Sequence, residues 1–547
     1  MVVKSHAKPH LKPLAGVLLA ALVLRAALLS AGAFTFNADE AVVASMARHI
    51  LQGREFPVFF YGQAYMGSLD ALLVAGGFTV FGESVLVVRL VQSALYMGVV
   101  ATTYWLGWRL TGRRWAASVA GLIAAVPPAV MTLYTTATLG GYNETLLLGN
   151  LILLYSYEVT HGREESWWRW ACIGAAAGLG WWTNGLIVVY LAPAGLLILR
   201  HASVRRVPRY LLAFACFMLL SAPWWAYNID HDNAAIEVFL AGRRADSTGF
   251  DVAPAHERLL GLLFIGLPSA IGLRYPWSGS YFAMPLAVLV LIFYVGMVVY
   301  WVRGRGPRMA KDARGLLMMM LGLFCVIFVA STFGTDPTGR YFLPIIPPLA
   351  VLTAAALGEL RVTNRWLYNG AAIALLGFFL AGNVIAAVRQ PPGFTTQFDS
   401  VSHIPHDDDQ ALIDFLQAHD LTRGYSNYWV AFRFTFLTDE AVILRSALPY
   451  KEDLSYNSAD DRYPPYRDAV EAAPADAVFY ITTNLPQLDA IMRERLAAAG
   501  VTFDEAEIGV YHVFYGLSAH VTPEALGLDR LDAEQRDAGG VPGILCS

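Results

Sequence analysis

Residues 14–51 read "LAGVLLAALVLRAALLSAGAFTFNADEAVVASMARHIL". The first part, up to Phe36, is apolar enough and long enough for a bilayer-spanning helix, which takes roughly 17–25 residues. Two carboxylates, Asp39 and Glu40, follow at once, and then a moderately amphipathic segment, "AVVASMARHILQG", is expected to lie along the membrane surface. The stretch before it, "MVVKSHAKPH", is basic. The apolar run lacks a small-x-small cleavage site and is long for a signal peptide, so a retained first span is expected. Adjacent acids at the mouth of a span either mark the aqueous interface or serve chemistry. The rest of the chain decides between these.

Of the 547 residues, 56% are hydrophobic and 15% charged, against about a quarter charged in soluble domains. Further apolar stretches fall near residues 86–108, 115–134, 139–159, 168–183, 185–200, 209–229, 281–302, 315–333, 341–358 and 366–388. Two shorter ones, 68–82 and 258–273, are expected to be interfacial or re-entrant. The fold class is therefore a polytopic α-helical membrane protein of about 11–13 transmembrane helices. Basic residues test the orientation. Lys4, Lys8, Lys12, Arg109, Arg113, Arg114, Arg163, Arg169, Arg200, Arg205, Arg206, Arg209, Arg303, Arg305, Arg308, Lys311, Arg314, Arg361 and Arg365 all fall on one face if the two short pieces do not cross. By the positive-inside rule that face is cytoplasmic, in a plasma (inner) membrane. Four segments then lie together outside: the loop after Phe36, the turn near Gly140, the loop from Asp230 to Arg274, and "STFGTDPTGRYFLP". A net charge of −4 with no basic stripe argues against a nucleic-acid partner. Cys172, Cys216 and Cys325 sit in apolar runs, and with Cys546 they suggest neither metal-ligand spacing nor a disulfide framework.

Beyond "RQPPGF" the composition becomes ordinary. "DQALIDFLQAHDL" and "LPQLDAIMRERLAAAG" read as helices, and "AVILRS", "AVFYITT" and "GVYHVFYGL" as strands rich in β-branched and aromatic residues. The expected domains are a transmembrane domain over 1–392, with a first outer loop at 37–85, and an extracytoplasmic α/β domain over 393–547 with a loosely structured tail.

Candidate site residues cluster in the outer segments. Asn37 or Asp39 suits a helix N-cap, whose side-chain oxygen accepts an otherwise unpaired amide. Aromatics that include Tyr61 and Tyr65 suit the membrane interface and a substrate that is part lipid, part polar. Asp70 opens the short apolar piece, and Glu144 in "TLGGYNETLLLGN" stands where a run re-enters the membrane. Acids at membrane depth are costly and usually functional. Asp39, Glu40, Asp70 and Glu144 offer the oxygen ligands that a divalent cation such as Mg2+ or Mn2+ prefers. Arg340 and Tyr341 stand where "GRYFLP" enters a span, and a guanidinium grips phosphate bidentately. Arg25 lies well within the first span, and "WWTNG" forms a tight turn between two spans from which Asn184 is expected to face the cavity. Arg243, Arg244 and Arg258 are weaker phosphate candidates, and His49 reads as an ordinary interfacial histidine.

Taken in order, "NADEAVVASMARHILQG", "FGESVLVVRLVQSALYMGVVATTYWLGWRLTGRRWAASVAGLIAAVPP", "GLGWWTNGLIVVYLAPAGLLIL", "SAPWW" and "GRYFLPIIPPLA" resemble the membrane glycosyltransferases of the GT-C fold. The resemblance is to family 39, the protein O-mannosyltransferase and aminoarabinose transferase branch, over about residues 15–390. It implies transfer of a sugar from a polyprenyl-phosphate donor to a protein, lipid or glycan acceptor at the outer face. It also implies that Asp39 is the base and that Glu144 is the second acidic landmark. The family's acid and lysine after the platform tyrosine are Met66 and Gly67 here, with Asp70 displaced, and its later lysine is Asn184. The resulting assignment has Asp39 and Glu40 as catalytic acids. Arg340, Tyr341, Arg25, Tyr61, Tyr65 and Asn184 are assigned to the substrate, and Glu144 and Asp70 to a metal. Glu40 is also suited to a plain first-turn helix acid. The rival reading is a transporter or flippase of polyprenyl-linked lipid or sugar, since such proteins also carry intramembrane charges. They often show repeated halves, which this sequence lacks.

Overall fold

A computed structural model describes residues 11–162, 166–240, 253–278, 280–282, 286–303, 309–389, 393–398 and 401–531. The chain divides into two compact units. The first holds residues up to Phe34, from Ala64 to Arg243 and from Asp251 to Phe394; the second gathers Thr35–Gln63 and everything from Thr395 onward, with Arg244–Phe250. The expected boundary near 393 thus has a counterpart in the first loop, which divides at Gln63. The tail beyond Leu531, Arg243 and Arg244 lie outside the described residues.

The first unit is helical. Among the described residues, five helices are long and apolar enough to cross a membrane: Leu11–Ser30, Val85–Thr111, Lys311–Ala330, Arg340–Thr363 and Arg365–Val388. Val204–Leu220 and Ala222–Asp230, bent by 56°, make a sixth if they form one span. Several of the other apolar runs are shorter or broken helices. The run 115–134 is split into Arg114–Ala125 and Ala129–Tyr134 at Pro127 and Pro128, which lack an amide hydrogen for the helix ladder. Trp167–Thr183 and Gly185–Arg200 are shorter apolar helices that part at Asn184. The two short pieces do not reach spanning length. Leu69–Phe81 has 13 residues, about 20 Å at 1.5 Å per residue against a hydrocarbon core of about 30 Å. The other breaks into Ala255–Gly261, a π-helical turn Leu262–Gly266, and Leu267–Ala270.

Side-chain pairs within this unit join the loops that the basic residues assign to one face. Glu158 accepts ion pairs from Arg109 at 2.6 Å and Arg169 at 3.0 Å. Asp312 meets His161 and His201. Arg361 lies over Trp115 and Tyr368. Loops of the other face meet likewise: Met66 bridges to Asn184, Asp70 accepts from Thr138, and Arg258 donates to the Ser331 carbonyl at 2.6 Å. The first and last spans end side by side, with the Phe34 and Phe394 rings stacked at 4.8 Å and the Phe394 amide donating to Ala33 at 2.8 Å.

In the second unit the helix Ala38–Leu51 is capped by Asn37, whose Oδ1 accepts from the Glu40 amide at 2.9 Å. Asn37 therefore takes the capping role and Asp39 stands in the first turn. The helix is buried on nearly all sides rather than lying along a surface, and inside the unit it packs against Tyr428–Leu437. Two short strands follow, β1 (Phe59–Phe60) and β2 (Gln63–Gly67), the second leading into the first unit. The C-terminal part holds β3 (Arg423–Ser426), β4 (Ile443–Ser446), β5 (Val478–Thr483), β6 (Asp504–Ile508) and β7 (Tyr511–Tyr515) in the order β4-β3-β5-β7-β6. β3 runs parallel to β4 and β5, while β7 pairs antiparallel with β5 and β6. Every residue of β5 is buried, as in a central strand with both faces covered. Tyr480 and Phe514 belong to one core with the helix Pro486–Ala498, and Phe479, Ile481 and Val513 to another with Asp409–Ala418. That alternation is the period of two expected of a strand.

Candidate functional site

The first turn of Ala38–Leu51 presents Asp39 with about a fifth of its side chain exposed. The Tyr428 hydroxyl donates to Asp39 Oδ1 at 2.5 Å, and Arg462 Nη1 approaches the same oxygen at 3.4 Å. Among the described residues Oδ2 accepts no hydrogen bond. Arg462 is itself held over the rings of Tyr428, at 4.3 Å, and Phe60, at 5.1 Å. Burial pushes the Tyr428 hydroxyl well above its ordinary range, with Arg462 pulling it back and Asp39 adding to the rise, so it remains a donor. Nearby, Tyr450 donates to Asp460 at 3.0 Å, and burial raises Asp460 against the pull of Arg462. Glu40 is fully buried and does not share the opening that Asp39 has.

One helical stretch further on, His49 is buried in a ring of aromatic and acidic groups. Its Nε2 lies 2.6 Å from Glu440 Oε1 and its Nδ1 2.8 Å from the Tyr61 hydroxyl. Tyr466 donates to Glu440 at 2.8 Å, and Arg54 pairs with the other oxygen at 2.7 Å. Burial works against the Glu440 charge, but the hydrogen bonds from His49, Tyr466 and Arg54 outweigh it and bring the carboxyl down to about 2. Tyr61 donates to Glu55 and stacks on Tyr463 at 4.5 Å, so its hydroxyl is engaged within this cluster. His49 is thus a packed hub rather than a lone interfacial histidine.

In the first unit Asp70 and Glu144 come together. Thr138 donates to Asp70 Oδ2 at 3.0 Å, the Ala71 amide to Oδ1 at 2.8 Å, and the Gly141 amide also faces this carboxyl. The turn that brings them there needs two glycines. Gly140 and Gly141 have φ of 95° and 76°, where a side chain is disfavoured. A Cβ on Gly140 would meet Met66 Sδ at 2.5 Å, and one on Gly141 would meet Thr183 Cγ2 at 2.4 Å. Glu144 is buried, feels the charge of Asp70 and stands beside Gln92, yet neither carboxyl oxygen accepts a hydrogen bond of normal geometry. A buried carboxyl left unpaired is costly. Two orphaned oxygens beside a second acid fit a hard divalent cation, which the structure does not contain.

Arg340 forms an ion pair with Asp336 at 2.7 Å and lies 4.9 Å from the ring of Tyr341. Its side chain as a whole is 42% exposed. Tyr341 and Tyr65 are both half-buried. Arg25 and Asn184 are committed to the fold. Arg25 donates to the Thr135 carbonyl at 2.7 Å and to the hydroxyls of Thr135 and Thr136, under a cation–π contact of 4.0 Å with Tyr96. Asn184 caps a turn through the Leu186 amide at 3.0 Å and donates to the Gly140 carbonyl at 3.2 Å. Sequence reasoning missed Tyr428, Arg462 and Glu440. The only trace of the first two was "YWVAFRFTF" and "SADDRYPPYRD", dense in aromatics and charges but free of any known spacing, and Glu440 left none.

Residues 69–227 match the family described as dolichyl-phosphate-mannose-protein mannosyltransferase. Among solved structures, ArnT from Cupriavidus metallidurans bound to undecaprenyl phosphate superposes with a TM-score of 0.59 at 14% identity, over 92% of this chain and 98% of that one. Its apo state gives 0.58 at 13% identity, over 90% and 97%. The arabinofuranosyltransferase AftD from Mycobacteria gives 0.53 at 15% identity over 96% of this chain, which spans 43% of AftD. No curated protein matches the chain in sequence. The chain is a multi-pass helical membrane protein with the GT-C fold, and residues 69–227 are similar to the mannosyltransferase family.

Proposed function

We propose that this protein is an inverting glycosyltransferase that moves a sugar from a polyprenyl-phosphate donor to a protein, lipid or glycan acceptor at the outer membrane face, with Asp39 as general base. The observation that carries this reading is the asymmetric state of Asp39. One oxygen is fixed by Tyr428 and Arg462, while Oδ2 keeps its lone pairs in a side chain that is a fifth exposed. A base must be oriented and yet have a free lone pair for the acceptor's proton. The ArnT structure with undecaprenyl phosphate supports the donor class. The basic loops support the outward placement of Asp39 and of the C-terminal domain.

In the reaction an acceptor hydroxyl or amine gives its proton to Asp39 Oδ2 as its oxygen or nitrogen bonds to the anomeric carbon. The bond from that carbon to the lipid-phosphate oxygen breaks, and the electron pair leaves with the phosphate. A single displacement inverts the anomeric centre. Arg340, with Tyr341 and Tyr65 beside it, is the proposed phosphate partner, stabilising charge that grows on the leaving group. Glu144 and Asp70 would hold a divalent cation, which when bound would neutralise phosphate charge. Arg25, Asn184 and Tyr61 act by holding elements in place. The test is Asp39→Asn in folded, purified protein given a polyprenyl-phosphate sugar. The expected result is loss of transfer by about three orders of magnitude. Full activity would remove Asp39 from the base role.

A further inference from the structure

Three residues distant in sequence meet on the face of the first unit that carries the arginine loops. His161 ends the helix Tyr142–His161, His201 follows Gly185–Arg200, and Asp312 lies in the first turn of Lys311–Ala330. Both imidazole Nε2 atoms converge on one carboxylate oxygen, Asp312 Oδ2, at 2.9 Å from His161 and 3.0 Å from His201. The candidate ligand atoms all lie within 4.8 Å of one another. Bonds of about 2.0–2.1 Å in a tetrahedral zinc site place neighbouring ligand atoms roughly 3.3 Å apart, so only small side-chain rotations are needed. The second nitrogen of His161 is also oriented. Nδ1 lies 3.2 Å from the Tyr157 carbonyl and 2.9 Å from Thr160 Oγ1, and the ring stacks on Tyr157 at 4.4 Å. A ligating histidine usually donates its other N–H to such a carbonyl, which leaves Nε2 as the donor to the metal. Among the described residues the opposing group is Arg200, 3.3 Å from the other oxygen, Asp312 Oδ1. At 61% exposed it is free to swing into solvent.

We propose that His161, His201 and Asp312 bind a borderline divalent cation of the zinc class, which clamps the ends of three helices on the face opposite the proposed transfer site. Two imidazoles and one carboxylate suit Zn2+ or Co2+ better than Mg2+, which prefers all-oxygen shells. Three protein ligands leave the fourth position to water, consistent with the partial exposure of both histidines. The clamp ties together the ends of helices that already pack along their lengths, and it is independent of the proposed chemistry.

The experiment uses the full chain in detergent, stripped with a chelator and titrated with Co2+, read by visible absorption and by metal content per chain. The expected result is a bound Co2+ with the strong d–d bands of a four- or five-coordinate site, in addition to any ion held by Glu144 and Asp70. His161→Gln and His201→Gln should each weaken binding at least about 100-fold. His256→Gln, an exposed histidine outside the cluster, should leave the bands unchanged. Equal thermal midpoints in chelator would certify each variant as folded, and either the His161 or the His201 variant alone suffices. The proposal is overturned by wild-type protein that binds no Co2+, by equal binding in the folded His161 and His201 variants, or by bands that vanish only in His256→Gln.

Discussion

The two acidic centres of the molecule are built in opposite ways. In the second unit Asp39 is partly exposed and has one oxygen fixed by a tyrosine and an arginine. In the first unit Glu144 is buried with both oxygens unpaired, and Asp70 beside it is held by a hydroxyl and backbone amides. A carboxylate that is oriented on one side and open on the other is prepared to take a proton. A carboxylate buried without partners carries a cost that a cation can remove. The same residue type thus points to proton transfer in one place and to charge neutralisation in the other.

Substitution separates these roles. Asp39→Asn should have the largest effect, about a 1,000-fold loss of transfer with an unchanged thermal midpoint. Glu144→Gln should cost about 100-fold in transfer, measured in the same assay. Its midpoint should hold or rise, because a buried unpaired charge is removed. An undiminished rate together with a lower midpoint would make Glu144 a structural residue and erase the contrast. Tyr428→Phe should cost about 10-fold in kcat with little change in KM, since Arg462 still holds Asp39. A loss as large as that of Asp39→Asn would make the tyrosine part of the chemistry.

Two smaller effects concern the frame of each centre. Arg25→Met should destabilise the first unit by about 2 kcal/mol in denaturant or thermal unfolding, because the Thr135 and Thr136 hydroxyls lose a charged donor and the Thr135 carbonyl keeps only Asn143. In the second unit, Glu440 sits at about 2 in the folded protein against an ordinary 4.5. Its contribution to stability is therefore complete above pH 4.5 and is lost as the pH falls towards 2. The stability gap between wild type and Glu440→Gln should be constant from pH 7 to about 5 and should close on further acidification. A gap that persists at pH 2 would mean that the hub is held by packing of Tyr61, Tyr463 and Tyr466 rather than by charge.

Several features were legible in the chain alone. Apolar runs located the helical segments because a bilayer demands continuous hydrophobic stretches and internally satisfied backbone. Basic loops sorted these segments onto two faces, and pairs such as Glu158 with Arg109 and Arg169 respect that sorting. Strands β4, β5 and β7 were readable from their β-branched and aromatic runs, whereas "DEAEI" of β6 was not, being half-exposed and charged. The glycines of "GGYNE" signalled a close backbone approach, which Met66 and Thr183 supply.

Other features belong to the tertiary structure. Periodicity describes one segment at a time, so it cannot report a contact between residues hundreds of positions apart. Asp39 meets Tyr428 and Arg462 across such a gap, and its helix is buried rather than surface-lying for the same reason. The same limit hid the convergence of His161 and His201 on Asp312. It also hid the engagement of Arg25 and Asn184, which as isolated polar residues within and between spans read as substrate groups and in the fold are spent on threonines and backbone. Composition and spacing determined that this is a helical membrane protein with acids gathered at its loops. Only folding decided which of those acids is oriented, which is left unpaired and which polar groups remain free, because hydrogen-bond satisfaction is a property of three-dimensional neighbours.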